Sequence, residues 1–357
     1  MSDVVVVGAG ITGLSLALFL TRAGADVRVV DRAGIAAGAS GVQPGGVRQQ
    51  WSTDVNCVLA RESVEFYARL DDELGIETGA RLDRCGYLFV ALTQGRLDAL
   101  RADVALQHGH GIPSRIVTAD EASELVPGLV VEAVAGAAWC GEDGYFDRPQ
   151  TVVEAFARAA GVEVEIAEVE AVEPGVVLTS RGPMHATSVV LAAGVDTTRF
   201  VDLPIEAEER HLFLSDPVRE RLLEPLVIAG ERSFAAKQLA NGRVLASDLA
   251  AAGDAERNRE TWRATVARGI DAFLPVLAYL SFPVLASGVY DVTPDHQPVV
   301  GPVDDGLWVA AGYSGHGFML APAISRRLAD AVLGDGAAPI PEFAPDRLHE
   351  TGERAVI

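Results

Sequence analysis

Three glycines and one acid carry the first legible chemistry. Gly8, Gly10 and Gly13 stand at G-x-G-x-x-G spacing around Ile11 and Thr12, and Asp31 follows about twenty residues on. The first glycine permits a tight turn, the second lets backbone approach a diphosphate, and the third lets a helix pack closely on a strand. The elements that must position them are present. Val4, Val5, Val6 and Val7 form an apolar run suited to a fully buried parallel strand. Leu14, Ala17, Leu18 and Leu20 then recur at helical spacing, which puts a diphosphate at a helix N-terminus. Gly24 stops the helix, Val27, Val29 and Val30 make a second strand, and Asp31 ends it where a carboxylate can accept ribose hydroxyls. Strand, glycines, helix, strand and terminal acid in this order predict a dinucleotide site; the motif alone does not choose FAD from NAD.

Further candidates lie apart from this unit. The stretch 34–46, GIAAGASGVQPGG, is too glycine-rich for a helix or strand interior and can lie as a loop against a flat cofactor; Arg48 follows it directly. At 188–194, SVVLAAG reads as a buried strand breaking into small residues, where a cofactor can approach closely. A second strand of this kind, far from the first, tilts the choice towards FAD, whose long body crosses several strands. Lys237 is the only lysine in the chain, kept against a bias towards arginine. His108 and His110 form an H-x-H in a glycine-flanked loop that implies no third metal ligand.

The totals bound the rest. With 357 residues the chain can hold two domains or one interrupted one, and 49% hydrophobic content is ample for a core. No stretch is apolar enough to span a bilayer, and no secretory n-region precedes the first strand, so the cytoplasm is the expected location. A net charge of −21 repels nucleic acid and anionic membranes. Cys57, Cys85 and Cys140 lack C-x-x-C spacing and suggest buried thiols rather than a disulfide framework or zinc site.

Coarse patterning predicts helices over 54–74, 94–108, 120–125, 150–160, 258–273 and 320–333. Strands are expected at 87–92, 133–140, 163–166, 171–172, 176–178 and 307–311, with a hairpin turning at Asn241-Gly242. Segments of buried parallel character occupy the start, middle and end. A mixed α/β fold follows, in which a Rossmann-like cofactor domain (1–85, 145–205, 288–340) is interrupted by an antiparallel-sheet substrate domain (86–144, 206–287); 341–357 reads as a surface tail.

With these residues in view the chain resembles the glycine oxidase and monomeric sarcosine oxidase group of the D-amino-acid-oxidase-like flavoenzymes. The likeness rests on GAGITGLSLALFLTRAGADVRVVDR, GASGVQPGGVRQQW, GYFDRPQTVVEAFARAA, VVLAAGVDT and TPDHQPVVGPVDDGLWVAAGYSGHGFMLAPAI. It implies a glutathione-reductase-like FAD domain and an FAD-dependent oxidase or dehydrogenase acting on CH–NH or CH–NH2 bonds. The substrate would be a small amino or imino acid, oxidised by hydride transfer to flavin N5 to give an imine that hydrolyses, with O2 or another acceptor. The alternative is a non-catalytic FAD-binding subunit of a larger complex; a homo-oligomer is also compatible.

Matched onto that pattern, Gly8, Gly10, Gly13, Asp31 and Arg32 belong to the adenosine and diphosphate site, and Ser40 and Gly41 to the loop beside the flavin. Val169 would contact the adenine, Ala193 and Gly194 form the second small turn, and Gly315, Gly317, Phe318 and Met319 the helix entry at the flavin's pyrimidine end. Arg48 matches the arginine that pairs with the substrate carboxylate, Tyr290 a pocket tyrosine, and His316 a residue near the flavin. Met319 replaces a lysine that makes the second carboxylate contact, and Gly288 replaces the cysteine that tethers FAD, so FAD is expected to be non-covalent. Ala246 stands near the lysine that assists oxygen, and Lys237 on the neighbouring strand is its possible substitute. His211 is a further candidate for the pocket wall.

Overall fold

The computed structural model describes residues 2–334, 336–347 and 352–355. The valine run forms the strand Ser2–Val7, flanked in parallel by Val27–Asp31 and Gly182–Leu191. Its two faces enter different cores. Val4 and Val6 meet Leu14, Leu18 and Leu320 on the helical side, whereas Val5 and Val7 cluster with Val177, Val189 and Val309. A strand covered on both faces needs no polar alternation, which accounts for the unbroken run.

Around it lies an eight-stranded sheet in the order Val299–Asp304, Leu307–Ala311, Gly182–Leu191, Ser2–Val7, Val27–Asp31, Val164–Ile166. Val169–Glu173 and Val176–Thr179 join through the first half of Gly182–Leu191, which is why that strand begins earlier than its apolar run. The helices Ile11–Arg22, Asp54–Ala68, Pro149–Ala160 and Gly317–Leu333 pack together over one face.

The second eight-stranded sheet runs Val284–Val292, Glu206–Leu214, Val244–Asp248, Phe234–Gln238, Leu226–Ala229, Tyr87–Ala91, Gly136–Cys140, Arg115–Val117. Its pairings are antiparallel except that Leu226–Ala229 runs parallel to Tyr87–Ala91, so the purely antiparallel expectation is corrected at that pair. Register decides what each face does. Phe213, Phe234, Ala236, Val244 and Ala246 pack under the helix Ala255–Phe273 through Trp262, Val266, Ile270 and Phe273. The opposite face, carrying Tyr87, Leu226, Ala235, Lys237, Leu245, Leu212, Ala286 and Tyr290, borders a cavity.

Three expectations change. The glycine-rich 34–46 stretch contains a helical turn, Ala39–Val42, and the short strand Gly46–Val47. The strand Val284–Val292 belongs wholly to the second sheet, so a boundary at 288 would divide it. The terminal segment is not merely superficial: Phe343 and Glu353 are buried, and Glu353 accepts from Ser52 N at 2.9 Å and Asn56 Nδ2 at 2.9 Å. Residues 348–351 and 356–357 of the expected tail lie outside the described residues.

Candidate active site

The first cavity is built on the glycine motif. Gly8 has φ +114°, and a Cβ there would collide with the Ala192 carbonyl oxygen, so only glycine fits the turn. The helix Ile11–Arg22 opens with no side-chain cap. Ser40 Oγ accepts from Ile11 N at 3.0 Å. The dipole and N–H groups of that helix end are therefore presented to the cavity, which suits a diphosphate. Gly10, Ile11, Thr12, Asp31, Arg32, Ser40, Val169, Ala193 and Gly194 all line this space, while Gly13 and Gly41 stand behind it as close-packing positions. Asp31 Oδ2 accepts from Ala9 N at 2.9 Å, and Oδ1 from Ala33 N and Gly34 N at 2.8 and 2.9 Å, which fixes the carboxylate at the strand end. Arg32 pairs with Asp196 at 2.8 Å on the rim. Uncapped helix, glycine cradle and anchored acid fit the diphosphate and ribose of a dinucleotide.

A second, mostly apolar cavity lies between the 39–46 segment, the 315–319 turn and the open face of the second sheet. The two cavities share Ala39, Gln43, Tyr290, Gly315 and Phe318. Gly315 has φ +86°, and a Cβ would run into the Tyr290 ring. Met319 lines the second cavity, and Gly317 the first. The helix that begins at Gly317 likewise has no side-chain cap. Tyr290 is half-buried, and desolvation raises its hydroxyl's pKa, so it is a neutral donor.

His316 lines the second cavity while buried, and neither ring nitrogen has a partner. Burial first, then Arg48 and His296, pull its pKa well below the ordinary histidine value. It is a neutral imidazole with a free donor and a free acceptor. Lys237 is buried with its Nζ donating to Pro44 O and lying 3.7 Å from the Tyr145 ring centroid. Burial lowers its pKa to about 7, which leaves it part-neutral at physiological pH.

Arg48 is the correction. It lines neither cavity. It is fully buried, donating to the carbonyls of Gln50 and Ala355 and stacked 3.8 Å from the Trp51 ring centroid. Trp51 in turn meets His316 edge-on at 4.5 Å, so the guanidinium sits behind that pair, not at the cavity surface. His211 is at the wall, but its ring stacks on Trp262 at 4.2 Å and its Nδ1 lies 2.8 Å from Ser287 Oγ. Cys57, Cys85 and Cys140 line neither cavity, so none is placed to tether a cofactor. His110 lies 2.7 Å from Asp54 and His108 is bonded to Ser114 O; no group suited to a metal occurs among the described residues. No helix among them is long and apolar enough to cross a membrane.

Several wall residues escaped the sequence reading. Asp291 lines the first cavity and accepts from Gly312 N at 2.7 Å, its carboxyl pushed up to about 6 by burial; it holds the turn that leads into 315–319. Tyr87 and Arg210 line the second cavity. Their signal is register within a sheet, which no local spacing contains.

The family model described as FAD dependent oxidoreductase matches residues 3–331. The chain is 30% identical to 4-methylaminobutanoate oxidase (formaldehyde-forming) of Paenarthrobacter nicotinovorans over 92% of its own length, but spans only 43% of that relative. It is 28% identical to glycine oxidase of Geobacillus kaustophilus over 92% of each protein. Among solved structures, L-proline dehydrogenase from P. horikoshii superposes with a TM-score of 0.88 at 25% identity, covering 96% of each chain.

Proposed function

The chain belongs to the FAD dependent oxidoreductase family, and on that footing we propose that it oxidises a C–N bond of a small amino or imino acid in the apolar cavity. The observation that carries this reading is the shared wall. A space suited to the nucleotide half of FAD opens, past Tyr290, Gly315 and Phe318, onto a second space lined mostly by apolar side chains. Relatives named for amino acids and for a methylamino acid support the substrate class.

When bound, FAD supplies the hydride acceptor. The chain's own residues do the rest. Gly8, Gly10, Ile11, Thr12 and Ser40 would hold the diphosphate, Asp31 the ribose, and Val169, Ala193 and Gly194 would bracket the adenosine half. N–H groups at the start of Gly317–Leu333 favour negative charge placed beside them. Leu212, Leu226, Leu245 and Ala286 exclude water, which strengthens every polar contact in the cavity. Neutral His316 can accept a hydrogen bond from the substrate amine, and Tyr290 can donate one. Lys237 ties the 39–46 segment to the sheet through Pro44, a positioning role.

The test is anaerobic mixing of the yellow protein with glycine, sarcosine, proline, D-amino acids and larger N-methyl amino acids. Bleaching of the flavin band by at least one class is expected. A protein that retains flavin yet is bleached by none of them would overturn the reading.

A further inference from the structure

Resting on that reading, we propose that Arg210 holds the acid group of the substrate, which makes the preferred substrate an amine joined to its acid through a spacer of several carbons. The argument begins with register. Arg210 is paired with Gly288 across Glu206–Leu214 and Val284–Val292, and Leu212 with Ala286. Residues directly opposite in a sheet share a face, so Arg210 projects to the same side as the cavity-lining Leu212, Ala286 and Tyr290. Gly288 contributes no side chain there, and a Cβ on it would lie 2.8 Å from Val42 Cγ2. Val42 fills the space over Gly288, and the Arg210 side chain reaches the cavity beside it.

Its hydrogen bonding is incomplete in one direction. Nη1 donates to Leu249 O at 3.0 Å and Nη2 pairs with Glu208 at 3.0 Å, while Nε is buried without a partner. Nε and Nη2 form one edge of the guanidinium fork, the edge that takes a carboxylate in two parallel bonds. Glu208 is 34% exposed, so giving up its contact to water costs little. An acid arriving here satisfies the orphaned N–H and balances the charge.

The other cations are less well placed. Arg48 donates to the Gln50 and Ala355 carbonyls and lines neither cavity, although its own Nε is also without a partner. Lys237 is spent on Pro44 O and the Tyr145 ring, and burial draws it towards neutrality. Arg210 is the one arginine lining this cavity among the described residues. Tyr290 fixes the spacing: one side of its ring is against Gly315, and the Arg210 guanidinium carbon lies 5.7 Å from its centroid. An acid on Arg210 is thus separated by the tyrosine ring from the 315–319 turn. Leu212 and Ala286, the next pair along the strands on that face, make the wall beyond Arg210 apolar.

The experiment uses flavin-loaded wild type, Arg210→Met and Arg210→Lys, each checked for flavin content and melting temperature. Perturbation of the visible flavin spectrum is titrated with straight-chain carboxylates of two to six carbons and with the matching primary amides, none of which needs to be oxidised. Anaerobic reduction is then followed with N-methyl amino acids of one to five methylenes. Wild type should bind the longer carboxylates better than their amides, and reduction at low substrate should favour the longer spacers. Arg210→Met should weaken carboxylate binding about 10- to 100-fold and leave amide binding alone, with Arg210→Lys between the two. Equal binding of acids and amides by wild type, or an unchanged carboxylate affinity in both variants, would overturn the assignment. Carboxylate binding that depends on Arg210 without reduction by any amine would instead sustain the anchor and overturn the oxidation reading. Should the methionine variant fail to hold flavin, the lysine variant and the acid-to-amide comparison in wild type decide alone.

Discussion

Replacing Tyr67 with phenylalanine should destabilise the helix that opens between the two cavities, and the reason lies in a proline one turn away. Within Gly317–Leu333, position 322 is proline, so no backbone N–H reaches back to the carbonyl of Phe318. The Tyr67 hydroxyl donates there instead at 2.6 Å, with its ring stacked on Phe318 at a centroid distance of 5.3 Å. Tyr67 is buried, and burial pushes its ionisation well up, so it stays a donor across the working pH range. Tyr67→Phe keeps the stacking and removes one oxygen, leaving a buried carbonyl unpaired at a cost of about 1–3 kcal/mol. Pro322→Ala restores an N–H to that carbonyl, and loosens the unfolded chain by about 0.4–1 kcal/mol. In the alanine background Tyr67→Phe should therefore cost less, with a coupling of about 1 kcal/mol. Urea unfolding of the wild type, both single variants and the double variant, followed by tryptophan fluorescence at fixed flavin concentration, measures this cycle. Effects that add to within about 0.3–0.5 kcal/mol would refute the substitution of hydroxyl for backbone donor.

Lys237, drawn to about 7 by burial, binds fewer protons in the native chain than in the unfolded one between pH 7 and its ordinary value. That group makes stability rise with pH across the window and imposes its full penalty below it. Lys237→Met should flatten the rise in melting temperature between pH 7 and 10, and an unchanged slope would count against a buried ammonium. Asp291→Ala should raise the flavin dissociation constant about tenfold through loss of the bond from Gly312 N, read by recovery of free-flavin fluorescence; Asp291→Asn should restore most of it, because an amide oxygen can accept the same N–H. Gly315→Ala forces a side chain into the left-handed region at about 1–2 kcal/mol and into the Tyr290 ring. It should lower the melting temperature and alter the visible circular dichroism of bound flavin; an unaltered band would place Tyr290 away from the ring.

The glycine motif was legible because its demands are local. A strand buried on both faces must be apolar throughout, a turn at φ +114° must be glycine, and Asp31 must follow at the end of the next strand. The same holds for the helix over 119–125, where Thr118 and Glu121 cap each other as their three-residue spacing requires. Arg48 shows the opposite case. It follows a loop that lines both cavities, and spacing alone puts it at the site. Its side chain is turned away by the carbonyl of Ala355, 307 residues distant, and by Trp51. Nothing within the GGVRQQW segment encodes that partner.

The cavity wall was illegible for a related reason. In Phe234–Gln238 successive side chains alternate between the helix-covered core and the cavity, and Lys237 could have faced either by composition. The pairing Lys237 with Leu245, one of a ladder that sends Ala236 and Ala246 together under Ala255–Phe273, sends the lysine to the other side. Arg210 reaches the cavity by the same logic, two strands away, opposite a glycine. A one-residue slip of Phe234–Gln238 would turn Lys237 towards the helix-covered core, and one of Glu206–Leu214 would do the same to Arg210. The hydrophobic demand of Phe213 and Phe234 for that core therefore fixes the chemistry on the far face: which cation meets the substrate is decided by the residues that never touch it.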